Sequence, residues 1–252
     1  MRKKQKYQLI SPSLSFKNNQ IRLNQNYKYV YHSKSFFIKF YGYLPLVHSL
    51  RLADFSKQFT ILDLGCADGP FLPTLNYYSK KIVGIDLDKD SLILANKLIN
   101  DHNFKLKKVG LLNSDGLYLP FKDRTFDLIF CLEVLEHVEN SLQAINEISR
   151  ILKKKGVLIC SLPIEIGISL LIRTILGKTL KFKRPHYKFK EIIKSVFLKK
   201  PENREKHMDH KNFDWRLIYR EIKRCFKNYK LYFTPINFLK NINPIVIIVA
   251  NK

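Results

Sequence analysis

The sequence predicts an α/β fold built on a mostly parallel sheet with helices on both faces. Between residues 60 and 162, short apolar segments alternate with longer amphipathic ones, which is typical of strands joined by helices. Phe126–Leu132 is apolar at nearly every position, as are strands that a sheet buries on both faces. The 252-residue length and the 46% hydrophobic content allow one globular domain with a full core.

Each predicted element follows from a local pattern. Pro70 and Pro73 are tolerated in the first turn of a helix, because N–H groups there have no partner within the helix. The lysines and glycine over 153–156 are suited to closing the helix that precedes them. Residues 35–57 predict one or two helices, with an interruption around Gly42 and Pro45. The predicted strands cover 60–64, 81–86, 105–113, 126–132, 157–162, 230–238 and 244–250, and the predicted helices between them cover about 70–79, 89–102 and 140–152.

The first two strands end in a pattern that is typical of nucleoside binding. Residues 61–69 form an apolar strand that runs into an acidic, glycine-bearing turn, and the second strand ends in Asp86, 17 residues after Gly69. A turn without bulky side chains brings backbone N–H groups against a ligand. A carboxylate at the next strand end accepts hydrogen bonds from ribose hydroxyls.

The turn itself favours S-adenosylmethionine over NAD. A dinucleotide site needs the pattern G-x-G-x-x-G so that a pyrophosphate can rest on a helix N-terminus. Here Ala67 occupies the second glycine position and Pro70 the sixth place. Asp63 and Asp68 would repel two phosphate charges, whereas they suit the cationic ammonium and sulfonium groups of S-adenosylmethionine.

Four stretches in the same order resemble class I S-adenosylmethionine-dependent methyltransferases, with a domain like methyltransferase type 11. Residues 62–69 are similar to the first motif of that family, L-D-L-G-C-G-x-G, and the other stretches lie at 84–88, 113–129 and 150–158. The resemblance covers roughly residues 58–163. It implies a Rossmann-like seven-stranded sheet, to which the last two strands add an antiparallel C-terminal hairpin.

The resemblance also implies the cofactor contacts. Asp63 is expected to reach the ammonium group, Asp86 the ribose hydroxyls and Asp115 the adenine amino group, while Leu87 packs on the adenine face. If Ala67 must adopt a positive φ, alanine costs on the order of 1 kcal/mol there. The complete set of expected cofactor-binding residues is Asp63, Gly65, Cys66, Ala67, Gly69, Asp86, Leu87, Asp115, Gly116 and Cys131.

Three histidines are candidates for the acceptor side. The family often carries Glu-His after the fourth strand, so His137 is expected to orient the acceptor or to act as a general base; a capping or packing role is the alternative. His207 and His210 are candidates for the acceptor site, or else solvated loop residues. Two histidines without a third clear ligand do not indicate a metal site, and no metal is expected.

The positive charge lies outside the predicted core. The net charge is +24, yet residues 58–163 hold 13 basic and 13 acidic residues. We therefore divide the chain into a basic N-terminal helical extension over 1–57 and a methyltransferase domain over 58–252, in which 164–229 forms an acceptor and lid insertion. The charge indicates an anionic acceptor or surface, such as a phosphorylated metabolite, a lipid headgroup or RNA, or else lysine drift in an AT-rich genome.

Several features bear on location. The basic start is followed by polar residues, so no signal peptide and a cytoplasmic protein are expected. Residues 167–177 are strongly apolar and precede several lysines, which predicts either a lid helix or an anchor at the inner membrane surface. The four cysteines are expected to be reduced, and mostly buried.

The sequence thus predicts an S-adenosylmethionine-dependent methyltransferase that acts on a small, lipid- or sugar-linked anionic acceptor. One alternative is an RNA methyltransferase that uses the basic flanks. Another is a non-catalytic subunit that binds S-adenosylmethionine. The chain lacks the Asn/Asp-Pro-Pro-Tyr/Phe run of enzymes that methylate base amino groups, and no cysteine follows a proline as in pyrimidine carbon methylation.

Overall fold

The computed structural model describes residues 36–55, 58–100, 106, 108–179, 187–198, 211, 213–240 and 242–252. The strands are β1 (Thr60–Leu64), β2 (Lys81–Asp86), β3 (Val109–Asn113), β4 (Phe126–Leu132), β5 (Leu152–Pro163), β6 (Asn228–Thr234) and β7 (Ile245–Asn251). The helices are α1 (Phe36–Leu52), α2 (Leu72–Tyr78), α3 (Lys89–Ile99), α4 (Ser141–Ile151), α5 (Gly167–Thr179), α6 (Phe189–Leu198) and α7 (Trp215–Cys225). A short 3₁₀ helix covers Leu135–His137.

The strands form one sheet in the order β3-β2-β1-β4-β5-β7-β6. Strands β1 to β5 are parallel, and β7 is antiparallel to both β5 and β6. This confirms the predicted seven-stranded, mostly parallel sheet with an antiparallel hairpin. The chain builds outward from β1 to β3 and then returns to β4 on the other side of β1. Ligands of open α/β sheets bind at such a reversal, at the carboxyl ends of the strands.

Two apolar layers cover the sheet, one on each face. Helices α1, α2 and α3 pack on one face, with Leu50, Leu75 and Ala95 among their buried residues. Helices α4 and α7 pack on the other face, where Ile148 and Ile222 are fully buried. Since α7 belongs to the main core, this part of the expected lid stretch serves as a structural layer of the sheet.

Helix α1 is continuous, so the interruption expected around Gly42 and Pro45 is wrong. Pro45 lies inside the helix, flanked by the buried residues Leu44 and Leu46. A proline removes one backbone hydrogen bond and crowds the preceding turn. The burial of the apolar side chains around it offsets that loss, because helices in proteins owe most of their stability to packing.

Strand β5 begins earlier than the sequence predicts. Residues 153–156 were expected to close a helix, but α4 ends at Ile151 and Leu152 already pairs with Phe126 of β4. The Lys153 ammonium lies 2.8 Å from both carboxylate oxygens of Asp127, which joins the starts of the two strands. Residues 153–156 therefore belong to a strand, because pairing between strands outweighs the local pattern that suits the residues after a helix.

All four cysteines are free, and Cys66, Cys131 and Cys160 are buried, as expected for reduced thiols. None of the helices in the described part of the chain has the length and apolar character that crossing a membrane requires.

Candidate active site

The glycine-bearing turn after β1 is held by backbone hydrogen bonds to β2. The N–H groups of Gly65 and Cys66 donate to the Ile85 carbonyl at 2.8 and 2.9 Å. Gly65 has a φ of +78°, and a Cβ added there would lie 2.2 Å from Cγ2 of Val134. A side chain at this position would therefore displace the loop that follows β4. The turn brings its backbone to the reversal point of the sheet without a bulky group in the way.

Asp86 is fixed in place by two backbone donors. The Ala67 N–H donates to Oδ2 at 2.8 Å and the Asp88 N–H donates to Oδ1 at 2.9 Å. Ala67 has a φ of +49°, so the condition under which alanine is strained at this position is met. Burial raises the pKa of the Asp86 carboxyl, while these N–H groups oppose the rise. A ribose hydroxyl bound here would meet a carboxylate whose orientation is already set.

Asp63 is the most unusual group in the site. It lies in β1 with 4% of its surface exposed, and its Oδ2 has no hydrogen-bond partner among the described residues. Burial, and then the charge of Asp86, raise the pKa of the Asp63 carboxyl to about 7. A buried acid with an unpaired oxygen is unfavourable when it is ionised. A cationic group bound beside it would relieve that penalty, which fits the ammonium of S-adenosylmethionine.

The side of the site that is expected to take the adenine is built by the ends of β2 and β3. Leu87 is 69% exposed beside the Asp86 carboxylate, so its apolar surface is free to cover a flat ring. The Asn113 amide donates to the carbonyls of Asp86 and Leu87, at 2.9 Å each, and ties the two strand ends together. Asp115 accepts the Leu117 N–H at 2.9 Å through one oxygen, and Gly116 continues this exposed turn.

The other residues that the sequence predicts for the site lie in different parts of the structure. The side chains of Cys66 and Cys131 are buried in opposite layers of the core, so a ligand can reach these residues only through their backbone. Gly69 adopts a φ of +82° at the end of the turn. His137 lies in the 3₁₀ helix, with Nε2 4.0 Å from Oε1 of Glu136. His207 and His210 lie outside the described residues, and within those residues no three His, Cys, Asp or Glu side chains are grouped to hold a metal.

Sequence reasoning missed a polar network beside β4 and β5. The Ser161 hydroxyl donates to Oε1 of Glu133 at 2.9 Å and accepts the Glu133 N–H at 3.1 Å. Behind them, the Arg173 guanidinium lies 3.0 Å from a carboxylate oxygen of Glu165, and both side chains are buried. Burial raises the pKa of the Glu133 carboxyl to about 7, although Ser161 and Arg173 oppose the rise. The sequence does carry a signal for Glu133, because it is an acidic residue directly after a buried strand.

The turn, the two buried aspartates and the strand order together form the arrangement that is typical of nucleoside-binding α/β domains. Residues 62–160 match the family model described as a methyltransferase domain. Over these residues the chain is thus similar to methyltransferase domains, the class whose cofactor the sequence predicts.

Curated relatives are similar to part of the chain. An uncharacterized protein of Methanocaldococcus jannaschii is 43% identical over 113 residues, which is 44% of this chain and 44% of that protein. The demethylmenaquinone methyltransferase of Alkalihalophilus pseudofirmus is 30% identical over 83 residues, 33% of this chain and 34% of that enzyme. The mitochondrial ubiquinone biosynthesis O-methyltransferase of Dictyostelium discoideum is 31% identical over 110 residues, 40% of this chain and 34% of that enzyme. The chain thus spans less than half the length of these relatives.

Solved structures extend the likeness of the fold over most of the chain. A S-adenosylmethionine-dependent methyltransferase from Aquifex aeolicus superposes with a TM-score of 0.55 and 17% identity, over 82% of this chain and 88% of that one. A Pyrococcus horikoshii protein superposes with a TM-score of 0.57 and 18% identity, over 89% of this chain and 94% of that one. At these identities the likeness establishes the fold alone.

Proposed function

We propose that this protein transfers a methyl group from S-adenosylmethionine to a small acceptor. The single observation that carries the proposal is Asp63, an almost fully buried carboxylate with a free oxygen at the reversal point of the sheet. A cationic ligand satisfies this group, whereas an anionic dinucleotide would be repelled by it. The match of residues 62–160 to a methyltransferase domain supports the same cofactor.

The roles of the cofactor-binding residues follow from their positions. Asp63 would hold the ammonium group, Asp86 would accept hydrogen bonds from the ribose, and Leu87 would cover the adenine. When bound, S-adenosylmethionine supplies an electrophilic methyl group. The protein then has to orient that group towards an acceptor and exclude water. The fixed Asp86 carboxylate suits this task, because its two backbone donors hold its orientation before any ligand arrives.

For the acceptor, we infer a lipid-linked or quinone-like molecule taken from an anionic membrane surface. Two of the relatives are named for demethylmenaquinone and ubiquinone biosynthesis. Helices α5 and α6 pack together after β5, and each exposes an apolar stripe with a helical spacing. The stripes consist of Ile168, Leu171 and Ile175 on α5 and of Phe189, Ile193 and Phe197 on α6, with the exposed lysines Lys188, Lys190 and Lys194 beside them.

Apolar side chains next to cations favour contact with an anionic bilayer surface. Cosedimentation with vesicles tests this contact. The double variant Phe189→Ser and Phe197→Ser should lose binding to vesicles that contain phosphatidylglycerol, whereas Tyr77→Ser, which removes an exposed aromatic from α2, should not. Equal binding of both variants would refute the membrane contact and leave the cofactor assignment untouched.

The activity is tested by calorimetry with S-adenosylmethionine and by transfer of its tritiated methyl group into a lysate. The products are separated into lipid, RNA, protein and small-molecule fractions. Asp86→Ala should lower transfer at limiting cofactor by about 5- to 150-fold, and Asp90→Ala, which changes an exposed aspartate in the first turn of α3, should retain it. Label in the lipid or small-molecule fraction supports the proposal. Absence of cofactor binding would refute it.

The alternatives predict other results of the same experiment. An RNA methyltransferase would place the label in RNA, and its RNA binding would weaken steeply with salt, as expected from the net charge of +24. A non-catalytic subunit would bind the cofactor but transfer nothing.

A further inference from the structure

The loop after β4 places a carboxylate next to the turn that holds the cofactor. Glu133 follows Leu132, the last residue of β4, and has a φ of +57°, a left-handed conformation that side chains such as glutamate rarely adopt. The next residue, Val134, packs directly against Gly65 of the cofactor turn. Strand β4 lies on the side of β1 opposite to β2. Glu133 therefore flanks the site on the side away from Asp86, where the proposed cofactor presents its methionine end.

The carboxylate of Glu133 is held by a partner from the neighbouring strand. Its Oε1 accepts the Ser161 hydroxyl, and its own N–H donates back to the same hydroxyl. Glu133 is only half-buried, whereas Ser161 is completely buried. The acid is thus held by a buried partner, while the residue itself keeps part of its surface exposed.

A buried ion pair behind this acid leaves polar atoms without partners. Arg173 and Glu165 are 8% and 2% exposed and form an ion pair at 3.0 Å. Arg173 also donates to the carbonyls of Ile164 and Pro244. Nevertheless, Nε of Arg173 and Oε2 of Glu165 have no hydrogen-bond partner among the described residues. Because buried polar groups are normally paired, these atoms indicate a polar ligand group.

We propose that Glu133 is the catalytic residue that accepts the proton of the acceptor, and that the acceptor presents a phenolic hydroxyl. The inference rests on the proposed methyltransferase function. Burial raises the pKa of the Glu133 carboxyl to about 7. A base of this strength lies within about 3 pH units of a phenol, whose pKa is about 10. General bases work best when their pKa is near the working pH.

The transfer of the methyl group needs only the cofactor, the phenol and Glu133. A lone pair of the phenolic oxygen forms a bond to the methyl carbon while the bond from that carbon to sulfur breaks, and its electron pair stays on sulfur. The sulfonium becomes a neutral thioether, and the phenol becomes a methyl ether. The proton of the hydroxyl passes to the carboxylate of Glu133, which returns it to water after the product leaves.

The charges around Glu133 come from several elements. Arg173 on α5 favours its ionised form and Glu165, just before α5, disfavours it. The thiol of Cys160 on β5 also lies close by, since the charges of Glu133 and of Glu136 in the 3₁₀ helix both raise its pKa. Since these groups stay in place in a Glu133→Gln variant, a change in the pH profile of that variant reports on Glu133 itself.

The test compares Glu133→Gln with Glu139→Gln, a matched change of an exposed glutamate before α4. The acceptors are catechol and a nitrocatechol whose hydroxyl is largely ionised at neutral pH. With catechol, Glu133→Gln should lower kcat by about 10²- to 10⁴-fold, the usual contribution of a general base. With nitrocatechol the loss should be within a few-fold, because no proton remains to be removed. The wild-type rate with catechol should rise through pH 7, and Glu133→Gln should lack this rise.

Calorimetry with S-adenosylmethionine accompanies the assay, and Glu133→Gln should bind with unchanged affinity. Equal losses on both acceptors, or an unchanged rate on catechol, would overturn the role of Glu133. If the wild-type protein binds the cofactor but methylates neither catechol, the phenolic acceptor is refuted. If the wild-type protein does not bind the cofactor, the proposed function itself fails.

Discussion

The substitution Asp63→Asn tests the central feature of the site. Asparagine keeps the shape of the side chain but cannot ionise. Burial and the charge of Asp86 raise the pKa of Asp63 from 3.8 to about 7, which corresponds to at most about 4 kcal/mol of unfavourable free energy for the ionised form. Since water entering the site offsets part of this penalty, we expect a gain of about 1–3 kcal/mol in the variant above pH 7.

The raised pKa of Asp63 determines how the stability of the folded protein changes with pH. An acid whose pKa is higher in the folded state favours folding fully below pH 3.8, and this contribution is lost as the pH rises through about 7. Asparagine has no such loss. The variant should therefore be more stable than the wild type at pH 8, while the difference should disappear near pH 4.

The assay is thermal unfolding of the ligand-free protein at pH 4, 6 and 8. For a domain of this size each kcal/mol shifts Tm by about 2–4 °C, so the variant should unfold several degrees higher at pH 8. In parallel, calorimetry should show S-adenosylmethionine binding about 10- to 100-fold more weakly, because the ammonium loses its charged partner. In the wild type, affinity should fall as the pH drops below 7 and Asp63 becomes protonated.

The control is Asp90→Asn, which neutralises an exposed aspartate. This variant should have the Tm and the S-adenosylmethionine affinity of the wild type. A Tm difference that is the same at pH 4 and pH 8 would show that Asp63 is not an unfavourable buried charge. Unchanged cofactor affinity in Asp63→Asn would refute its contact with the ammonium group.

Three further predictions concern the same turn. Asp86→Ala leaves the N–H groups of Ala67 and Asp88 without acceptors and should weaken S-adenosylmethionine binding by about 1–3 kcal/mol; unchanged affinity by calorimetry would contradict the ribose contact. Ala67→Gly removes a strained φ of +49° and should stabilise the protein by up to about 1 kcal/mol in urea unfolding, and a loss of stability would be the contrary result. Gly65→Ala places a Cβ 2.2 Å from Val134 and should lower both Tm and cofactor affinity, whereas wild-type values would show that the loop yields easily.

The core of the fold could be predicted from the sequence because its signals are local. Strands β1 and β2 are apolar runs that end at an acid or a glycine, and their bounds match the prediction. The predicted start of β5 was wrong for a different reason. Residues 153–156 suit a helix end locally, yet strand pairing and the ion pair of Lys153 with Asp127 extend β5 back to Leu152. Such contacts join positions distant in sequence and leave no local pattern.

Part of the candidate site could be predicted from the sequence and part could not. The turn and Asp86 carry a recognisable spacing, and the structure brings them within hydrogen-bonding distance. The unpaired oxygen of Asp63 is a property of packing, so no sequence pattern reveals it. Glu133, Glu165 and Arg173 come together because the ends of β4 and β5 and helix α5 place them side by side. The acceptor role of His137, which the sequence offers beside a capping or packing role, remains a prediction.

The position of β7 has a consequence for how the molecule folds. This strand lies between β5 and β6, although both precede it in the chain. Until Ile245–Asn251 pairs, β5 and β6 each present an open strand edge to which another chain can add. The pairs between β5 and β7, such as Pro163 with Ile245, join residues far apart in sequence and form slowly, since a long loop must close first. We therefore expect aggregation to compete with folding until β7 is inserted, and substitutions that weaken this strand should lower the yield of soluble protein more than they lower Tm.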